Sequence, residues 1–470
     1  MKVIAAFFTF LSVAVMVQAQ SPVGDWEGTL EAPGLKLKIV FHVTAKGDQY
    51  SATMDSPDQG AMGIPVTETS FADSKLSFKI ANLGASYEGQ IDHASENIKG
   101  VFKQGPATIP LNLSKAVGET SKPNRPQEPQ KPFPYEEEDV KYDNPQAEGV
   151  TLAGTLTLPK GEGPFPAVIL ISGSGPQNRN EELMGHKPFM VLADHLTKQG
   201  IAVLRYDDRG VAKSTGDFAS ATSADFATDV EAGMAFLKSR KDIDAGKIGL
   251  MGHSEGGLIA PIVAAKSKDV AFAVLLAGPG VSGKEILLLQ QKLIGKAGGA
   301  SDDLLAMNQK INKRLFELIV KHEDNLPKAK EEIKKYMDTE IKRLSEADQA
   351  AMNAALANFD QTFQQVSSPW FRYFLAYDPA PTIQKMSCPV LAINGDKDLQ
   401  VDAEQNLPAI EKALKKGGNK NYEIKTLSNM NHLFQTSTTG NPAEYAQLTE
   451  TFSPIALNTV SEWLKKVLKK

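Results

Sequence analysis

After Tyr135 the chain repeats one pattern: apolar runs of strand length separated by amphipathic stretches of helical length. The runs fall at 167–171, 201–204, 248–251, 270–276 and 390–393, with helical segments at 186–199 and 224–239. A strand apolar on both faces must be covered on both faces, and parallel strands need long crossovers, which the helices supply. The pattern predicts an α/β fold, a mostly parallel, doubly wound sheet built from residues 136–281 and 369–470. Between them, over 282–368, the alternation stops. Leu, Ala, Lys, Glu and Gln dominate there, and apolar residues recur at helical spacing in Leu315, Leu318 and Ile319 and again in Ala355, Phe359 and Phe363. Several inserted helices are expected, either as a purely structural subdomain or as a cap. A cap is the commoner use of a long insertion, because such insertions sit at the functional end of these sheets.

The first part of the chain reads differently. Over 20–117 apolar and polar residues alternate in short runs, as at 35–41 and 75–80, broken by Gly, Asp, Asn and Pro. Period-two runs between turn residues predict antiparallel strands and a small all-β domain. Over 118–135 prolines recur among Lys, Asn, Arg, Gln and Glu, a composition of extended backbone that reads as a linker. Residues 1–19 carry Lys2, an apolar run from 3 to 17 and a small residue, Ala19, ahead of Gln20. That is the pattern of a secretory signal peptide cleaved after Ala19, so the expected destination is outside the cytoplasm, periplasmic or secreted. A short buried helix or a retained anchor is the alternative, although the run is shorter than the ~20 residues of a spanning helix.

A chain of 470 residues suits two or three domains, since single cores rarely grow past ~250–300 residues. Its net charge of −5 gives no basic face for nucleic acid. Cys388 is the only cysteine, which rules out an internal disulfide and a cysteine-based zinc site. No H-E-x-x-H pattern and no Gly-rich dinucleotide fingerprint with an acidic partner is present, so no metal or cofactor is expected.

The chemistry centres on Gly252-His253-Ser254-Glu255-Gly256. As a bare pattern G-x-S-x-G is weak. Its place sharpens it, directly after the apolar strand 248–251 and before the helix-like 257–265, which tolerates Pro261. A serine on a crowded strand-to-helix turn needs glycines on either side, and the helix N-terminus favours developing negative charge. A serine hydroxyl needs a base, and the chain holds seven histidines. His42 and His93 lie in the β domain, and His186 and His195 precede the nucleophile. His253 is inside the motif, packing beside the sheet, and His322 lies on a Lys- and Glu-rich inserted helix as an exposed residue. His432, in the loop after the strand-like 422–427, is the expected base, the alternative being an ordinary loop histidine. The third member should be a carboxylate after strand 390–393. Asp398 is favoured over Asp396, whose expected role is to satisfy backbone N–H groups of the Gly395 turn, and Asp402 is a third candidate.

With Ser254, Asp398 and His432 in the order nucleophile, acid, base, the chain from about Tyr135 resembles the α/β-hydrolase superfamily. More closely, it is similar to secreted bacterial serine esterases with a helical cap and an N-terminal β domain. Asp207-Asp208-Arg209-Gly210, with Ser214, also resembles a family loop, expected to support the site structurally. The resemblance implies an oxyanion hole formed by the N–H of Glu255 and one from the loop 171–176, with Ser174 the candidate second donor. Ser172 stands where many relatives carry histidine, which leaves open which N–H points inward; an ordinary glycine turn is the other reading. The implied activity is hydrolysis of a small-molecule carboxylic ester through an acyl-enzyme. A serine peptidase shares the same core, with Glu181-Glu182 as a conceivable amine site, although solvent-facing charge is the simpler reading of that pair. The hundred or so residues ahead of the core are too few for a propeller of ~40–50-residue blades. A non-catalytic binding protein on a hydrolase core is a third reading, with thioesterase, lactonase and acyltransferase as further variants. The segment 370–374 either lines the acyl pocket or packs in the core. Oligomeric state is not legible.

Overall fold

The computed structural model describes residues 21–469 apart from 33–34, 48, 57–60, 93–96, 105–106, 117–124, 344–348 and 350–358. The expected signal peptide, His93, Ala355 and the first half of the expected linker therefore lie outside the described residues. The chain divides into two compact units, Met1–Lys122 and Pro123–Lys470.

The first unit is a ten-stranded antiparallel sheet. Its strands are β1 (Gly24–Ala32), β2 (Leu35–Lys46), β3 (Gln49–Ser56), β4 (Ala61–Pro65), β5 (Glu68–Ala72), β6 (Lys75–Ile80), β7 (Ala85–Asp92), β8 (Asn97–Gln104), β9 (Ala107–Pro110) and β10 (Leu113–Lys115). The alternation read from the sequence becomes the two faces of the strands: Leu76, Phe78 and Ile80 of β6 are buried, while Lys75 and Lys79 are exposed. Trp26, Phe41, Phe78 and Tyr87 form its aromatic centre, with Phe41 and Phe78 stacked at 4.4 Å between ring centroids.

The second unit carries an eight-stranded sheet in the order β11-β12-β14-β13-β15-β16-β17-β18. These strands are β11 (Glu136–Asp143), β12 (Thr151–Leu158), β13 (Phe165–Ile171), β14 (Ala202–Tyr206), β15 (Ile243–His253), β16 (Ala273–Leu276), β17 (Val390–Gly395) and β18 (Tyr422–Leu427). From β14 through β18 every pairing is parallel, and β11 and β12 add an antiparallel edge. One face is covered by α2 (Ser223–Ser239) and α3 (Gly256–Lys266) together with a later helix at Ala403–Lys416. On the other face lie α1 (Pro188–Thr197) and the terminal helix Pro454–Leu468. Both-face coverage is what lets strands such as β13 and β16 be apolar throughout. This is an α/β-hydrolase core with an all-β unit ahead of it.

Between β16 and β17 the chain makes α4 (Gly283–Ala297), α5 (Asp302–Lys321), α6 (Leu326–Ile341), α7 (Phe359–Val366), α8 (Pro369–Ala376) and the short α9 (Ala380–Ile383). Ser282 and Glu285 form a capping box at the start of α4, and Ser301, Asn325 and Ser368 accept backbone N–H groups at the starts of α5, α6 and α8. These helices bury a core of their own around Phe316, Ile319, Ile333 and Phe363. The helix Ala403–Lys416 is α10 and Pro454–Leu468 is α11.

The segment expected to be a linker differs from that reading in its second half. Arg125 donates to the carbonyls of Met184, Gly185, Ala446 and Leu448, and Gln127 bonds to Thr451 and Phe452. A segment of turns and bends without aliphatic side chains is thus held through polar side chains that meet loop carbonyls.

Candidate active site

Ser254 sits where β15 ends and α3 begins, with φ +51°, the left-handed region that a side chain occupies at a cost of about 1–3 kcal/mol. Its N–H donates to the Leu276 carbonyl at 2.8 Å, which fixes the turn to the neighbouring strand. The flanking glycines are required by close approach. A Cβ on Gly252 would fall on the backbone of Gly256 and Gly257, and one on Gly256 would fall on the carbonyls of Ile171 and Ser172. The hydroxyl-bearing residue stays partly accessible while its neighbours on both sides are buried.

The imidazole of His432 lies on the loop after β18, and its Nδ1 is 2.7 Å from Asp398 Oδ2. Asp398 is 2% exposed, and its other oxygen accepts the N–H groups of Gln400 and Val401 at 2.8 and 2.9 Å. An ionised carboxylate only accepts, so in this pair Nδ1 is the ring nitrogen turned to the acid and Nε2 is the one left to face a substrate. Asp396 is exposed and accepts the Asn429 N–H at 2.6 Å, tying the β17 turn to the His432 loop. Asp402 caps α10 by accepting the Gln405 N–H at 2.8 Å. The three carboxylates have three separate partners, and only Asp398 meets the imidazole.

Among the described residues the Ser254 hydroxyl makes no hydrogen bond. The His432 loop is tied to the residue before Ser254: His253 Nε2 is 2.9 Å from the His432 carbonyl, and its ring centroid is 4.8 Å from that of His432.

The loop after β13 is more heavily anchored than its glycines suggest. Ser172 donates to Asp208 Oδ1 at 2.8 Å, and Asp208 Oδ2 accepts the Gln177 N–H at 2.9 Å. Burial raises the Asp208 carboxyl well above the usual range, against those two donors, and the nearby Glu255 and Glu181 raise it further. The Gly173 N–H is engaged by Glu181 Oε1 at 2.6 Å. By contrast, the N–H groups of Ser174 and Glu255 have no hydrogen-bond partner among the described residues, and Ser174 is exposed. Asp207 and Arg209 act as props: Arg179 clasps Asp207, and Arg209 pairs with buried Asp229 at 2.7 Å. Ser214 bridges the Asp207 carbonyl and the Ala153 N–H.

Glu181 departs from the solvent-facing reading. It is 3% exposed, holds φ +50° and accepts from both Gly173 and His253 Nδ1, the latter at 2.9 Å. Glu182 is the exposed one. Burial pulls the His253 ring down, but the charge and hydrogen bond of Glu181, the His432 carbonyl and Asp398 together leave its pKa raised. His322 also differs from expectation: its side chain is only 9% exposed and lies 3.1 Å from Glu332. No local periodicity marks Glu181, and only the chain path from β13 to α1 brings it under the elbow.

On the other side, Trp370 of α8 donates its indole N–H to Glu255 Oε1 at 2.8 Å, and Ser223 donates to the same oxygen at 2.6 Å. Burial raises the pKa of Glu255, opposed by those two donors. Trp370 stacks on Phe374 at 5.3 Å between ring centroids, and its neighbour Phe371 lines a cavity of about 300 Å³ inside α4–α8. The walls of that cavity are mostly apolar, including Leu287, Leu315, Phe316, Ile319 and Phe363. Among the described residues, no group of three or more His, Cys, Asp or Glu side chains is placed to hold a metal ion. No described helix is long and apolar enough to cross a membrane.

The chain is 26% identical over 336 residues to Esterase EstD of Thermotoga maritima, spanning 71% of this chain and 69% of that one. Among solved structures, the α/β hydrolase GrgF from Penicillium sp. sh18 aligns over 71% of this chain and all of its own, at 17% identity and a TM-score of 0.44. The Pyrococcus furiosus esterase Pf2001 aligns over 75% of this chain and all of its own, at 18% identity and the same TM-score. The family model described as "Serine aminopeptidase, S33" matches residues 187–437, from the start of α1 past the His432 loop. That match spans more than half of the chain and takes in both the elbow and the imidazole loop, so the protein belongs to this family of hydrolases.

Proposed function

We propose that the protein is a carboxylic ester hydrolase that works through Ser254, His432 and Asp398 and an acyl-enzyme intermediate. The observation that carries this reading is the buried His432–Asp398 hydrogen bond beside a serine held in the left-handed conformation of a strand-to-helix turn. In the first step the Ser254 oxygen attacks the acyl carbonyl as His432 Nε2 takes its proton. Asp398 keeps Nδ1 protonated and stabilises the imidazolium. The free N–H groups of Glu255 and Ser174 receive the oxyanion, in a place where such donors are worth about 10²–10³ in rate each. The imidazolium then protonates the leaving alcohol, and water repeats the sequence on the acyl-enzyme.

The esterase relative supports an ester substrate. The family description also covers aminopeptidases; of the Glu181-Glu182 pair read as an amine site, Glu181 is engaged by Gly173 and His253 and only Glu182 is exposed. We take the inserted helices to be a cap, with the apolar cavity behind Phe371 receiving the acyl chain. Residues 1–19 support export, which fractionation of cells expressing the full chain tests. Labelling by a fluorophosphonate, lost in Ser254→Ala, tests the nucleophile. Faster turnover of p-nitrophenyl acyl esters than of aminoacyl amides tests the substrate class, and the reverse preference overturns it.

A further inference from the structure

His253 has two ring nitrogens and both face acceptors. Nε2 lies 2.9 Å from the His432 carbonyl, which cannot donate, so Nε2 carries a proton. Nδ1 lies 2.9 Å from Glu181 Oε1, which already accepts the Gly173 N–H. With that carboxylate ionised, Nδ1 is protonated as well, and an imidazolium lies buried directly before the nucleophile. The ionisable groups facing it are Glu181 from the loop before α1, His432 from the loop after β18 and Asp398 from the loop after β17. Leaving such a pair half-made is costly, since a buried charge without its partner keeps neither water nor a counter-charge.

The placement of the pair matters more than its strength. Glu181 holds the Gly173 N–H, which withdraws it from the free donors of that loop and leaves the N–H groups of Ser174 and Gly175 without a partner among the described residues. Through His253 the same carboxylate is connected to the backbone carbonyl of His432. The two loops that must face Ser254 from opposite sides are therefore both tethered to the residue next to it. We propose that Glu181 and His253 are a positioning pair for acyl transfer, setting the oxyanion loop and the base loop against the nucleophile. The proposal rests on the Ser254–His432–Asp398 reading and deepens it.

The test uses the full-length protein and its variants Glu181→Gln and Glu181→Ala, assayed on a p-nitrophenyl acyl ester. Turnover is normalised to the sites titrated by a fluorophosphonate, so that a smaller folded fraction does not count as slower chemistry. Glu181→Ala frees the Gly173 N–H and unties His253, and kcat per site should fall by roughly 10²-fold, the effect of a misdirected oxyanion donor, with KM changed less than about threefold. Glu181→Gln keeps an acceptor oxygen in place but removes its charge. His253 then loses its second proton at lower pH than in the wild type, so the alkaline limb of kcat should move to lower pH while the acid side stays close to the wild type. A purely structural role would lower the number of titrated sites and leave kcat per site and the alkaline limb unmoved. Folded Glu181→Ala with wild-type kcat overturns the proposal, as does Glu181→Gln with a wild-type pH profile; the second decides alone if the alanine variant does not fold. Failure of the wild type to label would instead overturn the triad reading.

Discussion

At the scale of single residues, the site depends on where carboxylates are placed. Asp398 accepts two backbone N–H groups and the imidazole, so Asp398→Asn keeps the shape but reverses the donor facing Nδ1. A fall in kcat on the order of 10⁴ is expected, read on a p-nitrophenyl ester. Asp396→Asn removes no contact with the imidazole and should leave kcat within a few-fold, despite lying only two positions away. Gly256→Ala tests the elbow. Its new methyl group would meet the Ile171 and Ser172 carbonyls, which belong to the central strand β13 and its loop and cannot easily retreat. A loss of at least 1–3 kcal/mol is expected by denaturant unfolding, where Gly161→Ala, with open space around it, serves as the strain-only control for its own positive φ.

At the scale of elements, α8 meets the start of α3 through the hydrogen bond from Trp370 to Glu255. Trp370→Phe preserves the stack on Phe374 but removes one of the two donors to the buried Glu255 carboxyl. The expected cost is about 1–3 kcal/mol in urea unfolding, because a buried acceptor loses a partner that water does not fully replace. The cavity in α4–α8 gives a second test. Leu315→Trp fills part of its wall, so activity on an octanoyl ester should fall by roughly tenfold or more relative to an acetyl ester, since each excluded methylene forfeits ~0.8 kcal/mol of burial. Equal effects on the two esters would remove the acyl-chain role from this cavity.

At the scale of the whole molecule, each of the two units has its own core, and each carries a histidine held between acids or carbonyls. In the β unit His42 bridges Asp25 and Asp55 across β1, β2 and β3, at 2.7 and 2.8 Å. Burial lowers its pKa, but hydrogen bonds and charge from the two aspartates outweigh this and leave it raised. A raised histidine stabilises the fold fully below its unfolded pKa, near ~6.5, and the contribution is lost as pH rises through the folded value. The melting transition of the β unit should therefore fall on going from pH 5.5 to pH 9 by more in the wild type than in His42→Gln, and equal changes would refute the assignment. Much of this molecule was legible in the sequence, because periodicity and local turn chemistry are written in neighbouring residues. Alternation announced the β sheet, two-faced apolar runs announced the parallel core, and Gly252 and Gly256 announced the strained turn at Ser254. What only the tertiary structure decided depends on residues far apart in the chain. Glu181 lies 72 positions from His253, Trp370 lies 115 positions from Glu255, and Arg125 closes on carbonyls more than 300 positions away. A polar side chain in a loop carries no periodic sign of its partner, and its burial follows only once the sheet has brought the loop ends to one rim.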